Sequence, residues 1–282
     1  MVISCPARWM MLLLAVLLVT KPLAANEADT LRVETEVFAE HDDSVPLAHS
    51  LTLFNRDVAW DFLDVTETDS DDMTDKNTAG FGGEIILHDP ARERVVLIDP
   101  RRNVRTSVDA IQLERLSVSL ANWARQSDDK LICWAGGPAF GEGVQEVDGC
   151  LELIGPRVRY RVEATDAPSQ AMADRYRRFA DTAILLRAML HPGGVPPFPR
   201  LELNRRLAMA GSLPAAVTLE TEPRGGLSAA ALTGVLQRTL RSTHRIHPAL
   251  RSDDLQRIAN AEARMAAAEE VSLARYTKAE AD

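Results

Sequence analysis

Lysine is scarce in this chain: Lys21, Lys76, Lys130 and Lys278 are the only four among 32 basic residues, and 41 acidic residues set the net charge at −9. The arginines are scattered along the chain. That balance excludes the clustered positive charge that nucleic acid demands, and it excludes a polybasic grip on anionic lipid. Cysteine is rarer still, with three in 282 residues and no C-x-x-C pair for redox or haem chemistry. Catalytic signatures are missing too. There is no H-E-x-x-H, no P-loop and no G-x-S-x-G elbow; Gly211-Ser212-Leu213-Pro214 does not replace the last of these. Gly80-Phe81-Gly82-Gly83 lacks the Lys-Ser or Lys-Thr that a phosphate loop requires. No apolar run reaches the ~20 residues of a spanning helix. The best stretch after the first 25 residues, Ala183 to Leu190, is short and carries Arg187.

What is present begins at the N-terminus. Arg8, an apolar run from Met10 to Val19 and the small residues of Leu23-Ala24-Ala25 have the three-part order of a cleavable secretory signal. Cys5 precedes the apolar run and no cysteine follows the small residues, so lipidation is not indicated. The expected product is an exported, periplasmic or extracellular protein beginning near Asn26, not integral to a membrane. Losing Arg8 and Lys21 from a chain of net charge −9 leaves −11 on residues 26–282. That length suits one domain with a substantial core. Cys133 and Cys150 remain. In an oxidising compartment they are candidates for a disulfide, the alternative being two unpaired thiols.

Period-two alternation predicts strands through Leu31-Val33-Val37, Leu51-Leu53 and Val58-Trp60-Phe62, then over 84–88, 94–98 and 103–106. Asp89-Pro90-Ala91-Arg92 and Asp99-Pro100-Arg101-Arg102 read as the turns of consecutive hairpins. A helix is expected over about 107–126 and another from Pro168 to Leu190. Strands are expected over 131–134, 149–154, 158–164 and 217–221. The Pro- and Gly-rich run from His191 to Pro199 reads as a loop leading to a short helix over 201–210. A strand over 236–244, paired back across Arg224-Gly225-Gly226, precedes a long C-terminal helix from about 253, with Ser252 as its cap. The fold class is α+β: a largely antiparallel sheet packed with helices, plus that long C-terminal helix.

Candidate chemistry is thin. The acidic stretch Asp69, Asp71, Asp72, Asp75, Asn77 fails the spacing of a calcium loop, since Ala79 and Ile86 occupy ligand positions when Asp75 is set first. His244 and His247 lie three apart in an extended segment, which turns them to opposite sides. His88-Asp89 and His41-Asp42-Asp43 are adjacent pairs, and adjacent residues do not build a triad. No catalytic residue, metal ligand or cofactor is indicated.

The opening hairpins, Leu31-Arg32-Val33-Glu34-Thr35-Glu36-Val37, Ser50-Leu51-Thr52-Leu53-Phe54, Trp60-Asp61-Phe62-Leu63 and Ile85 to Arg105, resemble the periplasmic lipoprotein-carrier-like superfamily over residues 31–107. They are equally similar to uncharacterised exported bacterial proteins of that layout. The superfamily resemblance implies a curved half-barrel sheet and an apolar cavity that holds a lipid or a lipoprotein acyl chain. On that expectation Val33, Val37, Leu51, Leu53, Trp60, Phe62, Ile85 and Leu87 would line the ligand. The competing expectation is that they are core, packed by the helices at 107–126 and 168–190. The functional expectation is a non-enzymatic envelope protein binding an apolar or amphiphilic ligand. The alternatives are a hydrolase with a dispersed site and a structural or interaction protein.

Overall fold

The computed structural model describes residues 29–39, 45–65, 83–191, 195–222 and 238–278. The leader, the pair Asp42-Asp43 with His41, the acidic stretch 69–77 and the Arg224-Gly225-Gly226 turn lie outside them. Among the described residues the protein is mixed α+β, built on one sheet of twelve strands.

The first half of the chain is a meander. Strands β1 (Thr30–Ala39), β2 (Ala48–Asn55), β3 (Val58–Val65), β4 (Ile85–Asp89), β5 (Arg94–Asp99) and β6 (Val104–Asp109) pair in sequence, each antiparallel to the next. The two Asp-Pro turns form the β4–β5 and β5–β6 links. In the second, Asp99 Oδ1 accepts from the backbone N–H groups of Arg101 and Arg102 at 2.8 and 3.0 Å. The second half builds outward from β1 in the opposite direction. Strand β11 (Arg238–His247) pairs with β1, followed by β10 (Ser212–Thr221), β9 (Val158–Asp166), β8 (Cys150–Gly155) and β7 (Val144–Val147). A bulge between Pro214 and Ala216 absorbs the proline that a β10–β9 ladder cannot use as a donor.

Among the described residues six helices accompany the sheet: α1 (Ala110–Arg125), α2 (Lys130–Ala135), α3 (Gln170–Leu190), α4 (Phe198–Met209), α5 (Ser252–Ala267) and α6 (Leu273–Lys278). The sheet has two faces, and the registers assign them. Leu31, Val33, Phe54, Ala59, Val95 and Val108 share face A, where α3 buries Met172, Tyr176, Phe179 and Leu186, and α1 buries Leu113. On the same face α4 seats Leu203 and Leu207 against Leu153, Val162 and Val217. Leu51, Leu53, Trp60, Phe62, Ile85, Leu87, Val96 and Ile98 share face B, closed by Ile258 and Ala261 of α5. A fully buried aliphatic side chain contributes about 1.5–3 kcal/mol, so α5 is held by its apolar stripe rather than by helical propensity.

Three expectations change. Residues 131–134 are helical, not extended. Asp129 caps α2, its Oδ1 accepting from the N–H groups of Leu131 and Ile132 at 2.8 and 3.3 Å, and Leu131 and Ala135 bury one face of the turn. A short apolar run fits either periodicity, and the cap decides. The C-terminal region is not one long helix. Helix α5 stops at Ala267 and Ala268 turns extended. The chain then pairs Glu269–Glu270 (β12) in parallel with Val104–Arg105 of β6, and continues into the short α6. The backbone hydrogen bonds Glu269 N–H to Asn103 and Val271 N–H to Arg105, at 3.0 and 2.8 Å, supply what further helix would have given. Finally, the first turn of α5 is capped from within: Asp254 Oδ2 accepts from the Arg251 N–H at 2.8 Å, and Ser252 is already helical.

Candidate functional site

Face A carries a seam of polar residues between its apolar clusters. Strand alternation places Thr35 on β1, Ser50 and Thr52 on β2, Asp61 on β3, and Ser242 and His244 on β11 together on this face. Thr52 donates from Oγ1 to Asp61 Oδ1 at 2.8 Å. Burial pushes the Asp61 carboxyl above the usual carboxylate range, and hydrogen bonds from Thr52 and Ser50 only partly offset it. The His244 ring is held on both sides. Nδ1 is 3.0 Å from Thr35 Oγ1 and Nε2 is 3.1 Å from Ser242 Oγ. Burial, reinforced by the charge of Arg200, lowers His244 to about 3. A neutral ring has one N–H, so one hydroxyl accepts from it and the other donates to the bare nitrogen.

The helices cover this seam with their own polar groups. Asn204 of α4, buried, donates to Asp181 Oδ1 of α3 at 2.9 Å, and burial raises the Asp181 carboxyl. Arg200, in the first turn of α4, is within electrostatic reach of Tyr160, Tyr176, Asp181 and His244. Its guanidinium has no hydrogen bond or ion pair among the described residues. Burial raises both tyrosines, Tyr176 to about 12. The seam thus combines hydroxyls, a neutral imidazole, a carboxyl pushed toward its neutral form and one cation without a close counter-ion. Beside it Val37, Leu63 and Leu219 are only partly buried, and Leu240 is 40% exposed.

A second feature is a cleft of about 230 Å³ at the turn-bearing end of the same face. Phe54, Val58, Ala59, Pro90 and Ala91 form its apolar part, and Asp57, His88, Arg175 and Arg178 its polar part. Arg175 lies over the Phe54 ring, 5.8 Å from its centroid, and its Nη1 donates to the Asp29 carbonyl at 2.9 Å. Its Nη2 has no acceptor. His88 sits 3.4 Å from Thr182 Oγ1 through Nε2, and burial followed by the charge of Arg178 lowers it to about 4.

The eight residues expected to line a ligand do not share a surface. Val33 and Val37 lie on face A, Val33 packed against the α3 cluster. Leu51, Leu53, Trp60, Phe62, Ile85 and Leu87 are on face B, buried against α5. The helix that covers those six is α5, not the pair at 107–126 and 168–190. Cys133 and Cys150 are free thiols. Cys133 is exposed on α2, 3.4 Å from the Arg125 carbonyl, and Cys150 is buried at the start of β8. His244 and His247 take opposite faces, as extended spacing requires. No cluster of three or more His, Cys, Asp or Glu suited to a metal occurs among the described residues, and none of their helices is long and apolar enough to cross a membrane.

Sequence reasoning missed the seam because Thr35, Ser50, Thr52 and Ser242 look like the solvent half of alternating strands. The available signal was Asp61, a carboxylate between Trp60 and Phe62 in a strand that helices cover on both faces. No protein-family model matches this chain, and no curated protein matches it.

Proposed function

We propose that the protein is an exported, non-enzymatic envelope protein that binds an amphiphile with an anionic head on face A. In this reading the sheet is a half-barrel of the lipoprotein-carrier-like kind, with α3 and α4 over its ligand-binding side. The observation that carries it is Arg200, a cation beside the polar seam that reaches Tyr160, Tyr176, His244 and Asp181 electrostatically but has no hydrogen-bonded or close ion-pair partner among the described residues. A carboxylate or phosphate head would supply this partly buried guanidinium with charge-assisted hydrogen bonds. Val37, Leu63, Leu219 and Leu240 then flank the apolar part. The six residues beneath α5 act as core.

Native mass spectrometry and lipid extraction of protein purified from its own envelope test this. The expected result is a co-purifying amphiphile that is lost in Arg200→Gln. A clean apoprotein in both forms overturns it. N-terminal sequencing of the same material is expected to begin near Asn26.

One observation favours a hydrolase as the second reading: Ser242 and His244 are 3.1 Å apart, with Thr35 orienting the other ring nitrogen. A base titrating at about 3 is poorly matched to work near neutrality, so this reading ranks below binding. Labelling of Ser242 by a fluorophosphonate, abolished in Ser242→Ala, would establish it.

A further inference from the structure

We infer that the cleft between the β2–β3 turn, the β4–β5 turn and α3 is a separate binding site for a small organic monocarboxylate with an apolar body. This goes beyond the amphiphile reading and does not rest on it, since Arg200 does not line the cleft.

Charge sets the sign of the ligand. Arg175 and Arg178 both border the cleft, and neither makes an ion pair among the described residues. His88 adds no charge near neutrality, because burial and Arg178 hold it at about 4. Asp57, also bordering the cleft, and Asp29 both act on Arg175, which leaves Arg178 as the cation with no acid at its side. What remains is a single positive charge, which suits a monoanion better than a phosphate dianion.

Geometry sets the type of anion. Guanidinium groups present paired N–H donors that fit the two oxygens of a carboxylate. Arg175 is held by the Phe54 ring beneath it and by the Asp29 carbonyl, so the part of its guanidinium that borders the cleft is positioned before any ligand arrives. Preorganisation of this kind reduces the ordering cost of binding.

Lining and size set the rest. Phe54, Val58, Ala59, Pro90 and Ala91 supply a wall that an inorganic ion would leave bare. About 230 Å³ is smaller than the ~300–1,000 Å³ of pockets that take drug-sized ligands. A single ring or a short branched chain fits; a long acyl chain does not.

The experiment is a titration of the mature protein with sodium benzoate, followed by amide and His88 ring chemical shifts. Benzylamine, of the same shape and opposite charge, and inorganic phosphate serve as comparisons. Benzoate is expected to shift resonances of Phe54, His88 and Ala91 at millimolar concentrations. Arg175→Gln and Arg178→Gln are each expected to weaken it by about tenfold or more, the worth of a charge-assisted hydrogen bond, while Arg200→Gln leaves it unchanged. Circular dichroism confirms that each variant is folded. The assignment is overturned if benzoate produces no localised shift, or if benzylamine or phosphate produces the same one. It is overturned equally if both cleft arginine variants, folded, keep the wild-type affinity.

Discussion

Arg32 and Asp254 meet in a buried ion pair, Nε to Oδ2 at 3.1 Å, that ties the start of β1 to the first turn of α5. They are 222 residues apart in sequence. Asp254 also caps α5 through the Arg251 N–H, and Arg32 reaches Glu34 with its Nη1 at 2.5 Å. The pair fixes where α5 enters face B, and the apolar stripe does the rest. Removing Asp254 deletes the α5 cap and leaves Arg32 with Glu34 alone, so the loss is at most that of a fully stranded buried charge, about 3–5 kcal/mol. Asp254→Ala is therefore expected to lower the urea midpoint by up to that equivalent, while Asp253→Ala, exposed beside it, changes little. Equal midpoints for the two variants would remove the pair from any structural role.

Acid should unfold the protein through two histidines. His88 and His244 are held at about 4 and about 3 against an ordinary 6.5. Below 6.5 the unfolded chain binds protons that the folded protein refuses, so the unfolded state is favoured as pH falls. Their contribution is complete above about 6.5 and is lost on the way down to the folded values. Each histidine gives a slope of about 1.4 kcal/mol per pH unit in the middle of that window. Denaturant midpoints between pH 4.5 and 6 should therefore fall more steeply in wild type than in a His88→Gln, His244→Gln double variant. Parallel curves would remove both groups from the account.

Asp61 works in the opposite direction. Burial raises its carboxyl, so the folded protein holds a proton that the unfolded chain releases above 3.8, and its cost grows with rising pH. Asp61→Asn keeps an oxygen to accept from Thr52 and removes the ionisation. It is expected to stabilise the fold by about 1–3 kcal/mol at neutral pH and to lose that advantage below pH 4. Thermal melts at two pH values check both halves.

The C-terminal segment is latched at Tyr276. Its hydroxyl donates to Glu84 Oε1 at 2.7 Å, Arg102 lies 5.1 Å over its ring, and the Arg102 Nη1 and Nη2 groups both donate to its carbonyl at 3.0 Å. Burial, reinforced by Glu84, holds the tyrosine well above its ordinary pKa. Tyr276→Phe keeps the ring and deletes one charge-assisted bond, an expected loss of about 1.5–3 kcal/mol. Hydrogen exchange should then speed selectively at the Glu269 and Val271 amides. Unchanged protection there would mean that β12 holds without the latch.

Thiol accessibility offers a direct chemical check. A maleimide is expected to modify Cys133 in the native protein and Cys150 only after unfolding, since the first is exposed and the second buried. No modification of either without reductant would indicate a bridge instead.

Local chemistry was legible in the sequence wherever neighbours decided the outcome. Asp99, accepting from the backbone N–H groups of Arg101 and Arg102, makes the β5–β6 turn whatever surrounds it. The α+β class and the first six strands follow from such signals. What failed depended on distant partners. Alternation identifies two faces but not which helix covers each, so Leu51 and Val33 looked like one surface when α5 and α3 take them separately. Residues 131–134 carried a pattern that either state could use, and a single cap at Asp129 decided between them. The end of α5 at Ala267 is fixed by β6, more than 150 residues earlier, and nothing in its own alanine-rich run says so. The polar seam was hidden for the same reason: Thr52 is 3% exposed only because the sheet is covered on both sides.

The position of β1 has a consequence for biosynthesis. It sits in the interior of the sheet, and one of its two neighbours is β11, with Thr35 and His244 separated by 209 residues. A ribosome therefore delivers the central strand first and its second partner almost last. Until β11 emerges, one edge of β1 is bare, and until α5 follows, Trp60, Phe62 and their neighbours on face B have no cover. The chain cannot lock its centre while it is still being made. For a polypeptide that must pass through a narrow channel before it folds, that delay keeps it threadable; for one that stays behind, it is a long window for aggregation.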